Sequence, residues 1–179
     1  LSLLLVIITG ANAWYRTSIL HGYESSEITR QRAAEYERTY APFASKPHPT
    51  ITDVSLELDL YPTEKRFRSA GIMKLQNKTG QAIEQIMILC PNGTEIDNLS
   101  LSPAPTTVTI DETHNVAIAS WSTPLPLAQA MTLSFELQQE IRGIPNNLQE
   151  LDRRLVANGT FLDQRFVIPT LGYNHHLEI

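Results

Sequence analysis

The chain has 179 residues, 42% apolar and 18% charged, with a formal net charge of −5. That is enough for one domain with a real core plus appended segments, and too short for two large domains. The 14 Lys and Arg are scattered, without a basic stripe or interleaved aromatics, so there is no electrostatic footprint for nucleic acid.

Residues 1–9 are almost wholly apolar, there is no initiator Met, and the segment is shorter than the roughly 20 residues a bilayer crossing needs. Three readings stand. It is the second half of a transmembrane helix, with Trp14 and Tyr15 at the interface and Arg16 just outside. It is a signal peptide with Ala11-Asn12-Ala13 as the cleavage site. Or it is a core helix, although the charged run after it offers nothing to pack on. We take residues 1–22 as a truncated membrane segment, which puts the rest of the chain at or beyond a membrane.

From Glu24 to Tyr40 the charges alternate in sign and Gly and Pro are absent. Glu27 with Gln31, and Glu35 with Arg38, stand at helical neighbour spacings. Ile28, Ala33, Ala34, Tyr36 and Tyr40 make only a thin apolar stripe, so the expected helix is a solvated juxtamembrane spacer. Pro42, Pro47 and Pro49 prevent its continuation, and residues 23–45 form this helix and a linker.

A β domain is expected over residues 46–143. In 51–61, Val54, Leu56, Leu58 and Leu60 alternate with Ser55, Glu57, Asp59 and Tyr61, which predicts a strand with four aliphatic groups on a core and a wetter opposite face. A return strand over 66–77 carries Phe67, Met73 and Leu75, and a third runs over 83–89 after a turn at 77–80. Shorter strands are expected at 99–101, 107–110 and 115–121. Met131, Leu133, Phe135 and Leu137 then repeat the alternation of the first strand, in a segment closing near Gly143. The fold class is mainly β, an antiparallel sandwich or a pair of curved, saddle-shaped sheets. In residues 144–179, Asn147 with Glu150 has the form of a capping box. Leu148, Leu151 and Leu155 come next at helical spacing, predicting a short helix over 148–157 stopped by Asn158-Gly159. The last twenty residues are apolar and aromatic with no visible place to finish, and an exposed apolar patch is expected there.

Few residues offer chemistry. Cys90, the one cysteine, ends an apolar run and reads as a small buried hydrophobe rather than a reactive thiol. His175 and His176 are adjacent and do not converge on one metal, and no second cluster completes a site. His21, His48 and His114 read as surface histidines. Asp53, Glu57 and Asp59 read as a solvated strand face rather than a general acid and base pair. Nucleophile-elbow, phosphate-loop and His-Glu-x-x-His motifs are missing. No catalytic, cofactor-binding or metal residue is assigned.

The runs ITDVSLELDLYP at 51–62, FRSAGIMKLQNKT at 67–79 and MTLSFEL from 131, closing at Gly143, resemble the N-terminal β domain of the aminopeptidase N-like zinc metallopeptidases, the gluzincins. YERTYAPF at 36–43, NGTFL at 158–162 and PTLGYN at 169–174 are similar to a bacterial group in which an ABC transporter permease-type membrane part is followed by an aminopeptidase-like domain. The resemblance covers residues 30–179. It implies a saddle-shaped, non-catalytic β domain anchored at the bacterial inner membrane on its extracytoplasmic side. It also implies a neighbouring catalytic domain of the same chain as partner, which would hold the zinc and its motif. No zinc ligand is carried over, and the 179-residue chain is expected to be inactive by itself. Where the family often has Arg followed by Pro-Cys-x-Asp-Glu-Pro, Arg165 to Pro169 is followed here by Thr170-Leu171-Gly172, without the acidic pair. The rival reading is an extracytoplasmic, membrane-tethered β-sandwich binding module.

Overall fold

A computed structural model describes residues 2–19, 25–141 and 154–178. Helix α1, Ser2–Trp14, runs into a wide turn over Tyr15–Ile19, and helix α2 spans Ser26–Tyr40. Strands β1 (Thr50–Tyr61), β2 (Arg66–Gln76), β3 (Ile83–Leu89), β4 (Glu95–Ser102), β5 (Thr107–Asp111), β6 (Val116–Leu125) and β7 (Ala130–Glu140) come next. A small hairpin of β8 (Leu155–Val156) and β9 (Gly159–Thr160), the one-turn helix α3 (Gln164–Val167) and β10 (Thr170–Leu171) complete the order.

Two four-stranded antiparallel sheets make the body, the first in the order β1-β2-β7-β4 and the second in the order β10-β3-β6-β5. Alternation decides which side chains meet between them, because successive residues of a strand point to opposite faces. Phe67, Met73 and Leu75 of β2 and Met131, Leu133, Phe135 and Leu137 of β7 share one core with Ile86 and Ile88 of β3 and Ala117 and Leu125 of β6. The expected sandwich is therefore present.

Two close-packed details hold the strands and turns in place. Gly71 lies under the Phe135 ring: a Cβ there would stand 2.6 Å from the Ser55 carbonyl oxygen and 2.7 Å from Phe135 Cζ. Asn77, 2% exposed, donates from Nδ2 to the carbonyls of Gln81 (2.9 Å), Leu125 (3.3 Å) and Pro126 (3.1 Å). Its Oδ1 accepts from the Thr79 amide and hydroxyl. One side chain thus ties the β2–β3 turn to the β6–β7 turn, and its buried polar atoms are satisfied as the low-dielectric interior requires.

Several expectations need correction. β1 forms in the expected register, with Val54, Leu56, Leu58 and Leu60 opposite Met73, Gly71, Ser69 and Phe67 on the inner face. The second sheet does not extend over most of it, however. Val54, Leu56 and Leu60 remain 38–42% exposed, and of the four only Leu58 is partly buried against the core. The helix expected over 148–157 lies mostly outside the described residues, and at its described end Leu155 and Val156 form β8 instead. The last twenty residues do not present the expected patch: Val167 and Ile168 are buried in the main core, the Ser69 hydroxyl donates to the Val167 carbonyl, and β10 pairs with β3. Phe161 is the large apolar side chain left exposed there. Pro124 lies inside β6, beyond the point where the β3–β6 register shifts, where a missing N–H is tolerated.

Helix α2 is capped by Ser25, whose hydroxyl accepts from the Ile28 amide at 3.3 Å. It is not a solvated spacer. Tyr36 and Tyr40, at i and i+4, are 2% and 4% exposed and pack with Met87, Leu89 and Val116 on the outer face of the second sheet. β3 is therefore covered on both faces, which explains its unbroken apolar run at 86–90. Helix α1 buries none of its residues, and Leu3 to Ile8 are 57–74% exposed. Among the described residues no helix is long and apolar enough to cross a membrane.

Candidate functional site

A cluster of polar and ionisable groups forms where α2 meets the β5–β6 turn and the 169–178 segment. Two tyrosines one helical turn apart bring their rings to the same spot. Tyr36 stacks on Tyr173 with centroids 5.2 Å apart, and Tyr40 meets the edge of His114 at 5.8 Å. The turn after β5 supplies Asp111, which caps its own loop by accepting from the Thr113 amide at 2.9 Å. Asp111 Oδ2 also accepts from the Tyr40 hydroxyl at 2.7 Å and contacts His114 Nδ1 at 2.7 Å. His114 Nε2 faces the Arg32 carbonyl oxygen at 3.3 Å. The Tyr36 hydroxyl accepts from the Asn174 amide at 3.0 Å.

The environment sets the charges. Burial raises the Asp111 carboxyl, but the hydrogen bonds from Tyr40 and His114 outweigh it and leave Asp111 below the usual carboxylate range. Burial, followed by the Asp111 carboxylate, drives the Tyr40 phenol well above its ordinary value, so it remains a neutral donor. Tyr36 is also raised, chiefly by burial, against the lowering effect of the Asn174 amide. The Tyr173 hydroxyl is buried with no partner in good hydrogen-bonding geometry; burial, then the nearby Glu178 carboxylate, push it up to about 12.

Beside this cluster lies a cleft of about 270 Å³ lined by Thr29, Arg32, Tyr36, His114, His176 and Glu178. An Asp–His pair at its wall has the form of a base and its orienter, but a general base must aim its free nitrogen at a substrate. Here Nε2 faces the Arg32 carbonyl oxygen at 3.3 Å rather than open space, and the pair fastens α2 to the sheet. A larger open groove of about 510 Å³, lined by Thr52, Lys74, Ser102, Gln129 and Thr132 among others, lies at the end of the first sheet and holds no acid or nucleophile arranged for catalysis.

His175 and His176 sit in one turn of 3-10 helix; His175 Nδ1 contacts Glu178 at 2.9 Å and the His176 amide donates to Asn174. Among the described residues no group of three or more His, Cys, Asp or Glu could hold a metal ion. Cys90 is buried, and burial pushes its thiol up to about 12, as befits a small core hydrophobe. His48 is exposed as expected, and His21 lies outside the described residues. His114 is the exception. Its side chain is only 7% exposed, because the turn that looks polar in sequence is roofed by α2. The pairing of Tyr40 with Asp111 and His114 was missed; the apolar run of β3, which requires a cover on both faces, was the available signal.

No protein-family model matches the chain, and no curated protein matches it. Its structural neighbours are M1 zinc metallopeptidases. One, from Deinococcus radiodurans, aligns with a TM-score of 0.42 at 11% identity over 55% of this chain and 21% of that one. A mutant of the M1 enzyme from the same organism, bound to a Tyr-Ser-Ala substrate, gives 0.41 at 10% identity over 51% and 20%. A two-domain M1 mutant bound to L-arginine gives 0.42 at 10% over 54% and 22%. This chain thus spans about a fifth of the length of those proteins, and likeness at this level assigns it no activity.

Proposed function

We propose that this chain is the non-catalytic β domain of a membrane-anchored, aminopeptidase-like zinc metallopeptidase fused to a transporter permease-type region, and that it supports a catalytic domain of the same polypeptide. The observation that carries the reading is local. The three segments that resemble the gluzincin N-terminal domain, 51–62, 67–79 and 131–143, contribute β1, β2 and β7, which are consecutive neighbours in one sheet. The permease fusion rests on the sequence resemblance alone. Membrane anchoring is suggested by α1, whose run Leu3 to Ile8 is apolar, uncovered by any described residue, and followed by Trp14, Tyr15 and Arg16; the bacterial inner membrane and the extracytoplasmic side rest on the sequence resemblance alone. Zinc belongs, in this reading, to the catalytic domain.

The test is to determine the coding sequence downstream and assay the extended protein with aminoacyl substrates and zinc, beside the 179-residue chain. The extended protein is expected to carry a His-Glu-x-x-His motif, bind zinc and cleave, and the shorter chain to do neither. An extension without that motif overturns the enzyme reading.

A second reading, a membrane-tethered β-sandwich binding module, is favoured by Val167 and Ile168, which close the core with residues of the chain itself. It requires that a protein lacking the residues before Ser25 unfold cooperatively and remain monomeric. Aggregation of that protein counts against it.

A further inference from the structure

We propose that the free edge of β1 accepts an added strand from a partner polypeptide, an extended segment with aliphatic side chains at alternate positions and Lys or Arg between them. This goes beyond the scaffold role and stands whether or not the neighbouring domain is a peptidase.

The argument begins with the backbone. A strand at the rim of a sheet has a row of N–H and C=O groups without partners, and proteins commonly blunt such rims by shortening, bulging or covering them. Of the four rims of the two large sheets, three are blunted: β5 has five residues, β10 has two, and β4 is interrupted by a register shift between Ile96 and Asn98. β1 is different. It has twelve residues, its one irregularity lies at the start between Ile51 and Asp53, and from Asp53 to Tyr61 it runs in unbroken register with β2. That stretch is about 30 Å long. Among the described residues no strand pairs with its other side.

The two faces of this rim state what would fit. On the inner face Ile51, Val54, Leu56 and Leu60 are 38–42% exposed beyond the reach of the second sheet. On the outer face stand Asp53, Glu57 and Asp59. Lys74 neutralises Asp53 at 2.8 Å, but Glu57 lies opposite Ala70, and Asp59 lies opposite Arg68, whose guanidinium binds Glu136. Opposite charges facing each other across neighbouring strands stabilise, and like charges destabilise. An incoming strand with cations outward and aliphatics inward therefore satisfies both faces and the backbone together. A second copy of β1 does not. A two-fold register centred on Leu56 sets Asp53 against Asp59, and one centred on Glu57 sets Glu57 against itself.

The experiment uses the full chain in a mild nonionic detergent. It is titrated with a fluorescent peptide of about nine alternating Lys and Val residues, matched to the unbroken register, with a Glu/Val counterpart and a scrambled Lys/Val peptide as controls. The Lys/Val peptide is expected to bind about three- to ten-fold tighter than either control. It should slow amide hydrogen exchange in 53–61 and leave β4 and β5 unchanged. Glu57→Lys with Asp59→Lys should reverse the preference toward the Glu/Val peptide. Glu84→Lys with Glu112→Lys, the same change in net charge placed elsewhere, should not. Leu56→Lys, which points a cation inward on the rim, should abolish binding while native exchange in β2 and β7 is retained. Equal binding of all three peptides, unchanged exchange in β1, or an unaltered preference in the Glu57 and Asp59 double variant overturns the proposal. So does protection of β1 that grows with protein concentration in the absence of peptide, which would assign the rim to a second copy.

Discussion

The Tyr40 hydroxyl donates to Asp111 across 71 residues of sequence, at 2.7 Å, and so fixes the last turn of α2 to the end of β5. The same carboxylate oxygen meets His114 Nδ1, so one acid joins a helix, a strand and a turn.

That bond should be measurable in unfolding. Tyr40→Phe is expected to cost about 1.5–3 kcal/mol, the usual range for a hydrogen bond to a charged group. The sign of the pH effect comes from Asp111 being depressed in the folded state. Its contribution is fully present above the ordinary carboxyl value of about 3.9 and is lost as pH falls through the lower folded value. Urea midpoints across acid pH should therefore drop less steeply in Asp111→Asn, which should also be less stable than the parent at neutral pH.

At the alkaline end the signs reverse. Tyr36, Tyr40 and Tyr173 are all raised, Tyr173 to about 12, so their stabilising contribution is intact below the ordinary phenol value of about 10 and is lost as pH climbs through the folded values. Near-ultraviolet phenolate absorbance should show these three of the six tyrosines ionising late, together with release of α2. In Tyr36→Phe the late-ionising group should shrink.

Asn77→Ala is expected to cost about 2–4 kcal/mol, since it strips three buried or part-buried carbonyls of a donor at once. Asn77→Asp should do no better, because it removes the same donors and adds a buried charge. Thermal unfolding of both variants decides this.

Gly71→Ala should destabilise by about 1–3 kcal/mol or more, as the new methyl has to displace backbone and ring atoms. Adding Phe135→Leu relieves one of the two clashes. The double variant should lose less than the sum of the single losses in a double-mutant cycle.

How much of this was legible depended on whether a rule was local. β1, β2 and β3 could be read almost to the residue, since alternation or an apolar run bounded by turn residues is a property of neighbours in sequence. β4 was underestimated because Asp97 and Asn98 at its bulge disguise the period. What alternation cannot tell is whether an apolar row will be covered, and β1 has as regular a row as β7 while lying beyond the width of the second sheet. The helix docking failed for a similar reason. Two tyrosines are a weak stripe by themselves, and their meaning depends on Met87 and Leu89, some fifty residues away along the chain. The site chemistry was legible mainly in the negative, through motifs that do not occur.

The pairing of β10 with β3 has a consequence for biosynthesis. Thr170 and Leu171 lie opposite Leu89 and Ile88, so the second layer can close only after these late residues have emerged from the ribosome. Until then the flank of β3 must wait in a half-built protein, where hydrophobic surface invites chaperones or misassembly. A chain interrupted before Leu171 would keep most of its hairpins and lose the piece that seals them.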